Sequence, residues 1–289
     1  MSAFLVLTAS VEAGLSDALA AAVATRIDGD LGVRRLTPSA VEIAVDRAPV
    51  LEPLRAAFPQ IDVNAVPMEN RRKRLLIADM DQTMITVECI DEIADIAGVG
   101  ADVAAITKRT MAGEIDFEEA LIARVALLAR LEVSVLDQVF EERIRLTQGA
   151  RTLVQTMATT GAHTMLISGG FTFYTERVAA AAGFAEQRAN TLEIVNGRLT
   201  GRVVPPILGR EAKREALDAA LEHRGLSRDE ALAVGDGAND LAMITAAGLG
   251  VAFRAKPILA DAADARIEHA GLEALLALQG YTAAERVAG

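Results

Sequence analysis

Apolar positions fall into two kinds of pattern along the chain, with a break near residue 70. Before the break the apolar runs are short. Phe4 to Thr8 reads as a strand, and Val11 to Arg26 as an alanine-rich helix. Ala40 to Val45 alternates like a strand, Pro49 to Phe58 suits a helix, and Ile61 to Val66 suits a last strand. The order is close to β-α-β-β-α-β, a small α/β domain over residues 1–70. The run Glu69-Asn70-Arg71-Arg72-Lys73-Arg74 predicts a solvated linker into a second domain, residues 71–289.

Beyond the break, apolar runs end abruptly on polar groups. Leu75 to Asp79 ends on a carboxylate, and His163 to Ser168 ends on a hydroxyl followed by Gly169-Gly170. Ala231 to Asp236 ends on a second carboxylate. Helical segments separate these runs, which predicts an α/β fold with a doubly wound, Rossmann-like parallel sheet. Ligands of such sheets bind beyond the carboxyl ends of the strands, where all three polar endings would meet.

Residues 86–148, between the first two runs, read as a helical insertion placed to act as a cap. Asp116 and Glu119 predict a helix start running through Ala129, and Ser134 predicts another cap with a helix to Arg145. Further on, Glu193 to Thr200 reads as a hairpin turning at Asn196-Gly197.

Composition narrows the function. A chain of 289 residues, half of them apolar, can fill two cores. No apolar stretch reaches the roughly 20 residues of a membrane helix, and the N-terminus lacks a basic leader. Net charge of −11 argues against a nucleic-acid partner. Cys89 is the only cysteine, which excludes an intrachain disulfide and fits a reducing, cytoplasmic setting.

The sharpest chemical signal is Asp79-Met80-Asp81-Gln82-Thr83. In extended chain, i and i+2 face the same way. Asp79 can then attack phosphorus while Asp81 protonates the leaving oxygen and later deprotonates water. Gly235-Asp236-Gly237-Ala238-Asn239-Asp240 adds carboxylates after another strand. Mg²⁺ takes oxygen ligands and few carboxylates, which Asp79, Asp236 and the Asp81 carbonyl would supply. Ser168 and Gly169, ahead of a helix, offer a hydroxyl and exposed amides to a phosphate. Lys213 sits on a helix before the last motif, where it can neutralise phosphate and nucleophile. Each segment alone also reads as an ordinary turn or solvated face. Their joint occurrence does not.

In this order the four elements resemble the haloacid dehalogenase-like phosphotransferase superfamily over about residues 75–278. The resemblance implies Asp79 as nucleophile, Asp81 as acid and base, and Ser168 and Lys213 as phosphate ligands. It further implies Asp240 supporting the metal shell or Lys213, and Thr83 ordering the first loop. The stretches Glu88-Cys-Ile-Asp-Glu-Ile-Ala and Phe117-Glu-Glu-Ala-Leu-Ile-Ala-Arg124-Val resemble phosphoserine phosphatases. Phe117 and Arg124, two helical turns apart, share one face. By this likeness Glu88 takes the substrate ammonium and Arg124 its carboxylate. Met111 and Phe117 screen the site, and Asn239 contacts substrate.

The implied activity is Mg²⁺-dependent hydrolysis of phosphoserine, the last step of serine biosynthesis. Transfer of the phosphoryl group to another alcohol such as homoserine, or a non-catalytic amino-acid-binding regulator, are the alternatives. The N-terminal unit resembles an ACT-like module. Amino-acid binding, homodimerisation and a purely structural role are all open to it.

Overall fold

The computed structural model describes residues 2–27, 32–209 and 211–288, the side chain of Met111 apart. The N-terminal residues form β1 (Ala3–Thr8), α1 (Asp17–Ala24), β2 (Val33–Thr37), β3 (Ala40–Val45), α2 (Glu52–Ala57) and β4 (Asp62–Pro67). The strands make an antiparallel sheet in the order β2-β3-β1-β4, the ferredoxin-like connectivity. One face buries Leu5, Leu7, Ile43 and Val63 against Val23 and Leu54. The first helix starts later than its alanine content predicts. Gly14 takes φ +62°, and Ser16 caps the helix by accepting from the Leu19 amide at 3.2 Å.

The second sheet has seven strands: β5 (Leu75–Ala78), β6 (His163–Phe171), β7 (Glu186–Val195), β8 (Arg198–Val204), β9 (Ala231–Gly235), β10 (Leu249–Phe253) and β11 (Ala265–Ile267). Their order is β11-β10-β9-β5-β6-β7-β8, parallel except for the β7–β8 hairpin. Chain order runs outward in one direction from β5 and in the other from β9, so a crevice opens at their carboxyl ends. The strands are continuous apolar runs because both faces are covered. Leu75 and Ile77 pack on one side with Leu217 of α9 (Ala212–Arg224) and Met243 of α10 (Leu241–Ile244). Leu76 and Ala78 pack on the other with Val154 of α7 (Ala150–Thr159), Val178 of α8 (Thr172–Ala182) and Leu275 of α12 (Ala274–Leu278). The short α11 (Pro257–Ala260) follows β10.

Between β5 and α7 lie four helices: α3 (Cys89–Ile96), α4 (Gly100–Met111), α5 (Phe117–Ala126) and α6 (Ser134–Glu142). Asp116 caps α5 by accepting from the Glu119 amide at 2.7 Å, but the helix ends at Ala126 rather than Ala129. Ser134 is not a cap. Val133 already has helical dihedrals, φ −60° and ψ −26°, so Ser134 is the first helical residue. That geometry follows from a tether. The Asn196-Gly197 hairpin binds the segment ahead of α6, with Val133 N–H donating to Gly197 O at 3.0 Å and Arg130 N–H to Leu199 O at 2.8 Å.

The basic run 71–74 departs most from expectation. Arg71 is mostly buried: its Nε donates to Leu278 O at 2.7 Å, and its guanidinium pairs with buried Glu42 at 2.5 Å. Lys73 Nζ donates to Asp229 O at 2.6 Å. Arg71 thus ties the N-terminal sheet to α12 and Lys73 anchors the junction to the segment ahead of β9, while Arg72 and Arg74 stay exposed as expected, pairing with Glu285 and Glu230. Asp62 and Asn64 add to the junction. The Asp62 carboxylate accepts from the amides of Glu268, His269 and Ala270 at 2.7, 3.1 and 3.0 Å. The Asn64 amide pairs with both backbone groups of Arg266 at 2.8 Å, covering the exposed edge of β11. Among the described residues, no helix is long and apolar enough to cross a membrane.

Candidate active site

Asp79 follows β5 directly, in extended conformation (φ −69°, ψ 159°). Asp81 remains extended, and Gln82 turns the chain with φ +53°. Both carboxylates are buried, and both line a cleft between the sheet's carboxyl edge and the helical insertion. Glu88, Phe117, Arg124, Ser168, Gly169, Asp236 and Asn239 line the same cleft. Lys213 comes up from α9 beside Ser168 and Gly169. Segments far apart in sequence are thus brought to one place.

Lys213 Nζ lies 2.5 Å from Asp79 Oδ1 and 2.6 Å from Asp240 Oδ1. Burial works against its ammonium, but Asp240 and Asp79 outweigh that and hold it protonated well above the ordinary lysine range. The Asp79 carboxyl is pushed up by burial and by Asp240, Asp236 and Asp81, while Lys213 pulls the other way. Burial and Asp240 raise Asp236 to about 6. Burial, then Asp81 and Asp236, raise Glu88 to about 8. The site holds more negative charge than one lysine offsets.

Asp79, Asp236 and Asp240 each offer an oxygen within 4.8 Å of the others. Asp240 is already committed. Its Oδ1 accepts from Lys213, and its Oδ2 accepts from the amides of Asp236 and Gly237 at 3.2 and 3.0 Å. Asp236 and the second oxygen of Asp79, whose Oδ1 pairs with Lys213, are therefore the carboxylate oxygens left to hold a divalent cation, and hard oxygen donors suit magnesium. Asp240 acts as a brace that aims Lys213 and the Asp236 turn.

Asp81 joins the sheet edge to the insertion. Its Oδ2 accepts from Ser168 Oγ at 3.0 Å, and its Oδ1 accepts from the Cys89 amide at 2.9 Å. Ser168 Oγ in turn accepts from the Gly170 amide at 2.8 Å. The glycines precede a helix, as their position suggests, but the strand does not stop ahead of them. β6 runs on to Phe171 with an irregular register, and α8 begins at Thr172. Their role is space. A Cβ on Gly169 would stand 2.8 Å from Phe117 Cζ, and one on Gly170 would stand 3.0 Å from Asp81 Oδ2.

Phe117, Leu121 and Arg124 present one stripe of α5 to the cleft. Arg124 Nε donates to Ala120 O at 3.3 Å. Burial depresses its guanidinium, opposed by Glu88, Asp91 and Asp81. Thr83 is buried, and its hydroxyl has no partner among the described residues. The Met111 side chain lies outside the described residues.

Sequence reasoning missed two contributors, Asn190 and Lys256. Buried Asn190 donates to Gly169 O at 2.9 Å and accepts from the Leu208 amide at 2.7 Å, fixing the glycine loop from β7. Nothing local to Asn190 signals this. Lys256 lines the cleft from the N-terminus of α11, and the Arg-Ala-Lys-Pro stretch after an apolar run could have drawn notice.

Residues 76–245 match the haloacid dehalogenase-like hydrolase family. The chain is 42% identical over 269 residues to a phosphoserine phosphatase of Streptomyces coelicolor, covering 90% of this chain and 65% of that protein. Among solved structures, a haloacid dehalogenase family hydrolase of Salmonella enterica serovar Typhi superposes with a TM-score of 0.86 at 28% identity. That match covers 96% of this chain and 98% of the other, N-terminal sheet included. A phospho-aspartyl intermediate analogue of phosphoserine phosphatase superposes with a TM-score of 0.66 at 38% identity, over 71% of this chain and 98% of that one.

Proposed function

The chain belongs to the haloacid dehalogenase-like hydrolase family, and on that premise we propose that it hydrolyses O-phosphoserine to serine and phosphate through an aspartyl-phosphate. The observation that carries this reading is one cleft lined by Asp79, Asp81, Glu88 and Arg124 with buried Lys213 at its floor. Asp79 Oδ attacks phosphorus as the ester bond to the serine oxygen breaks, and Asp81 gives that oxygen its proton. Asp81 then takes a proton from water, whose oxygen attacks phosphorus and releases Asp79. Lys213 stays charged throughout and offsets the negative charge of nucleophile and phosphoryl oxygens. Ser168 Oγ and the Gly169 amide hold the phosphate.

Glu88 accepts the substrate ammonium and Arg124 pairs with its carboxylate through a planar fork. Phe117 over Gly169 keeps water out. Magnesium held by Asp79, Asp236 and the Asp81 carbonyl would offset the repulsion between nucleophile and phosphate when bound.

Residues 71–289 form the phosphatase domain in this reading, with residues 86–148 as its cap, and residues 1–70 form an appended domain. The core that one face of the antiparallel sheet keeps to itself supports that division, although Val6, Leu36, Ala40 and Val66 of that sheet join the core of the second domain. The test is phosphate release from a panel of phosphorylated metabolites with and without Mg²⁺. Phosphoserine should lead the panel, and Asp79→Asn should abolish turnover and trapping by beryllofluoride. Retention of more than about a hundredth of the activity in that variant would count against Asp79 as nucleophile.

A further inference from the structure

The cleft is a poor place for an anion to approach. Its cap side carries four carboxylates between Glu114 and Glu119, and its floor carries Asp79, Asp81 and Asp236. The chain as a whole is at −11. A phosphate monoester brings close to two further negative charges. Lys213 does little to draw it in, because its ammonium is buried and bound by Asp79 and Asp240. Arg124 sits on α5, half-buried.

Lys256 is placed differently. It is exposed, and it lines the cleft beside Pro257. Its backbone is fixed: its N–H donates to Asp236 O at 3.0 Å, and Pro257 starts α11 immediately after it. Among the described residues it forms no salt bridge, whereas Lys213 forms two. Its charge reaches both Glu88 on the cap side and Asp236 on the sheet side. An unpaired cation on a fixed backbone thus stands at the mouth of an otherwise acidic cleft, where low-dielectric walls focus its field.

We propose that Lys256 is a steering residue that attracts the substrate's phosphate dianion into the cleft and holds it at the mouth before Ser168 and Lys213 take it over. This rests on the phosphatase reading above. Its consequence differs from that of Arg124, which recognises the amino-acid part. Lys256 acts on any dianionic phosphate, with or without a carboxylate.

The experiment compares wild type, Lys256→Ala, Lys256→Arg and Lys256→Glu on phosphoserine and on p-nitrophenyl phosphate. Lys256→Ala should lower kcat/KM about fivefold on both esters, with kcat changed by less than about twofold. Lys256→Glu should lower it by about 25-fold, and Lys256→Arg should restore the wild-type value. These gaps should close as NaCl rises from about 20 to about 300 mM, because an exposed charge is screened. Unchanged kcat/KM in Lys256→Ala on both esters would overturn the inference. So would a loss that arginine does not restore and salt does not erase. Wild-type turnover of the aryl ester but not of phosphoserine would instead overturn the substrate assignment, and the aryl series would still decide the role of Lys256.

Discussion

The contact between Phe117 and Gly169 offers the most direct test of how the cap closes. Gly169 is not among the glycines with positive φ, so alanine fits its backbone and only space opposes it. A Cβ there would lie 2.8 Å from Phe117 Cζ and 3.4 Å from Cε2. Ordinary contact begins near 3.4 Å, so the ring end must retreat by about 0.6 Å. Overpacking of this size costs about 1–3 kcal/mol. The cap can meet that cost by standing ajar, so closure suffers rather than folding. Gly169→Ala should therefore lose roughly 5- to 150-fold in kcat/KM for phosphoserine, while its melting temperature falls by less than about 2 °C. Phe117→Ala alone should lose about tenfold by admitting water. The double variant should be no worse than Phe117→Ala, because without the ring the added methyl meets nothing. Steady-state kinetics of the four proteins measures this coupling. If the two losses multiply, leaving a coupling energy within about 0.5 kcal/mol of zero, then Phe117 does not close over Gly169 and the reasoning fails.

Three further outcomes are expected. Arg124→Ala should raise KM for phosphoserine by roughly 10- to 100-fold, the value of a charge-assisted fork. It should leave p-nitrophenyl phosphate nearly unaffected, and equal losses on both esters would contradict a carboxylate contact. Burial and Asp240 push Asp236 up to about 6, so its contribution to stability is full below about pH 4 and lost as pH rises through about 6. Mg²⁺ held by Asp236, as proposed, would relieve that loss. Saturating Mg²⁺ should raise the melting temperature more at pH 8 than at pH 5, and a larger gain at pH 5 would refute Asp236 as a ligand. Asp62→Ala removes the acceptor for three backbone amides at the junction of the two sheets. It should cost about 3 kcal/mol, seen by calorimetry as a melting temperature lowered by several degrees, whereas an unchanged melt would mean that the junction does not depend on this group.

Much of the site was readable along the chain because its chemistry sits where apolar strands stop. Asp79 and Asp236 directly follow buried strands and Ser168 closes the apolar part of β6, and a parallel sheet brings such positions to one edge whatever the loops between them do. The face shared by Phe117 and Arg124 follows from helical periodicity alone. Local signals failed where partners are remote. Arg71 and Lys73 look like solvated bases until Glu42, Leu278 and Asp229 come within reach. Asn190 is an unremarkable strand residue until its amide meets the Gly169 loop.

The amino-acid order by itself determined which side chains can do phosphoryl chemistry and that a doubly wound sheet would collect them, since burial pattern and strand ends are local properties. Only the tertiary structure decided how the charges are shared. Asp240 braces Lys213 and leaves Asp236 and one oxygen of Asp79 to face a cation, and Lys256 alone among the described cleft cations stands exposed and unpaired at the mouth. Those assignments depend on distances of a few ångströms between segments up to about 160 residues apart. Coulomb energy falls with separation in space, and sequence separation carries no information about it.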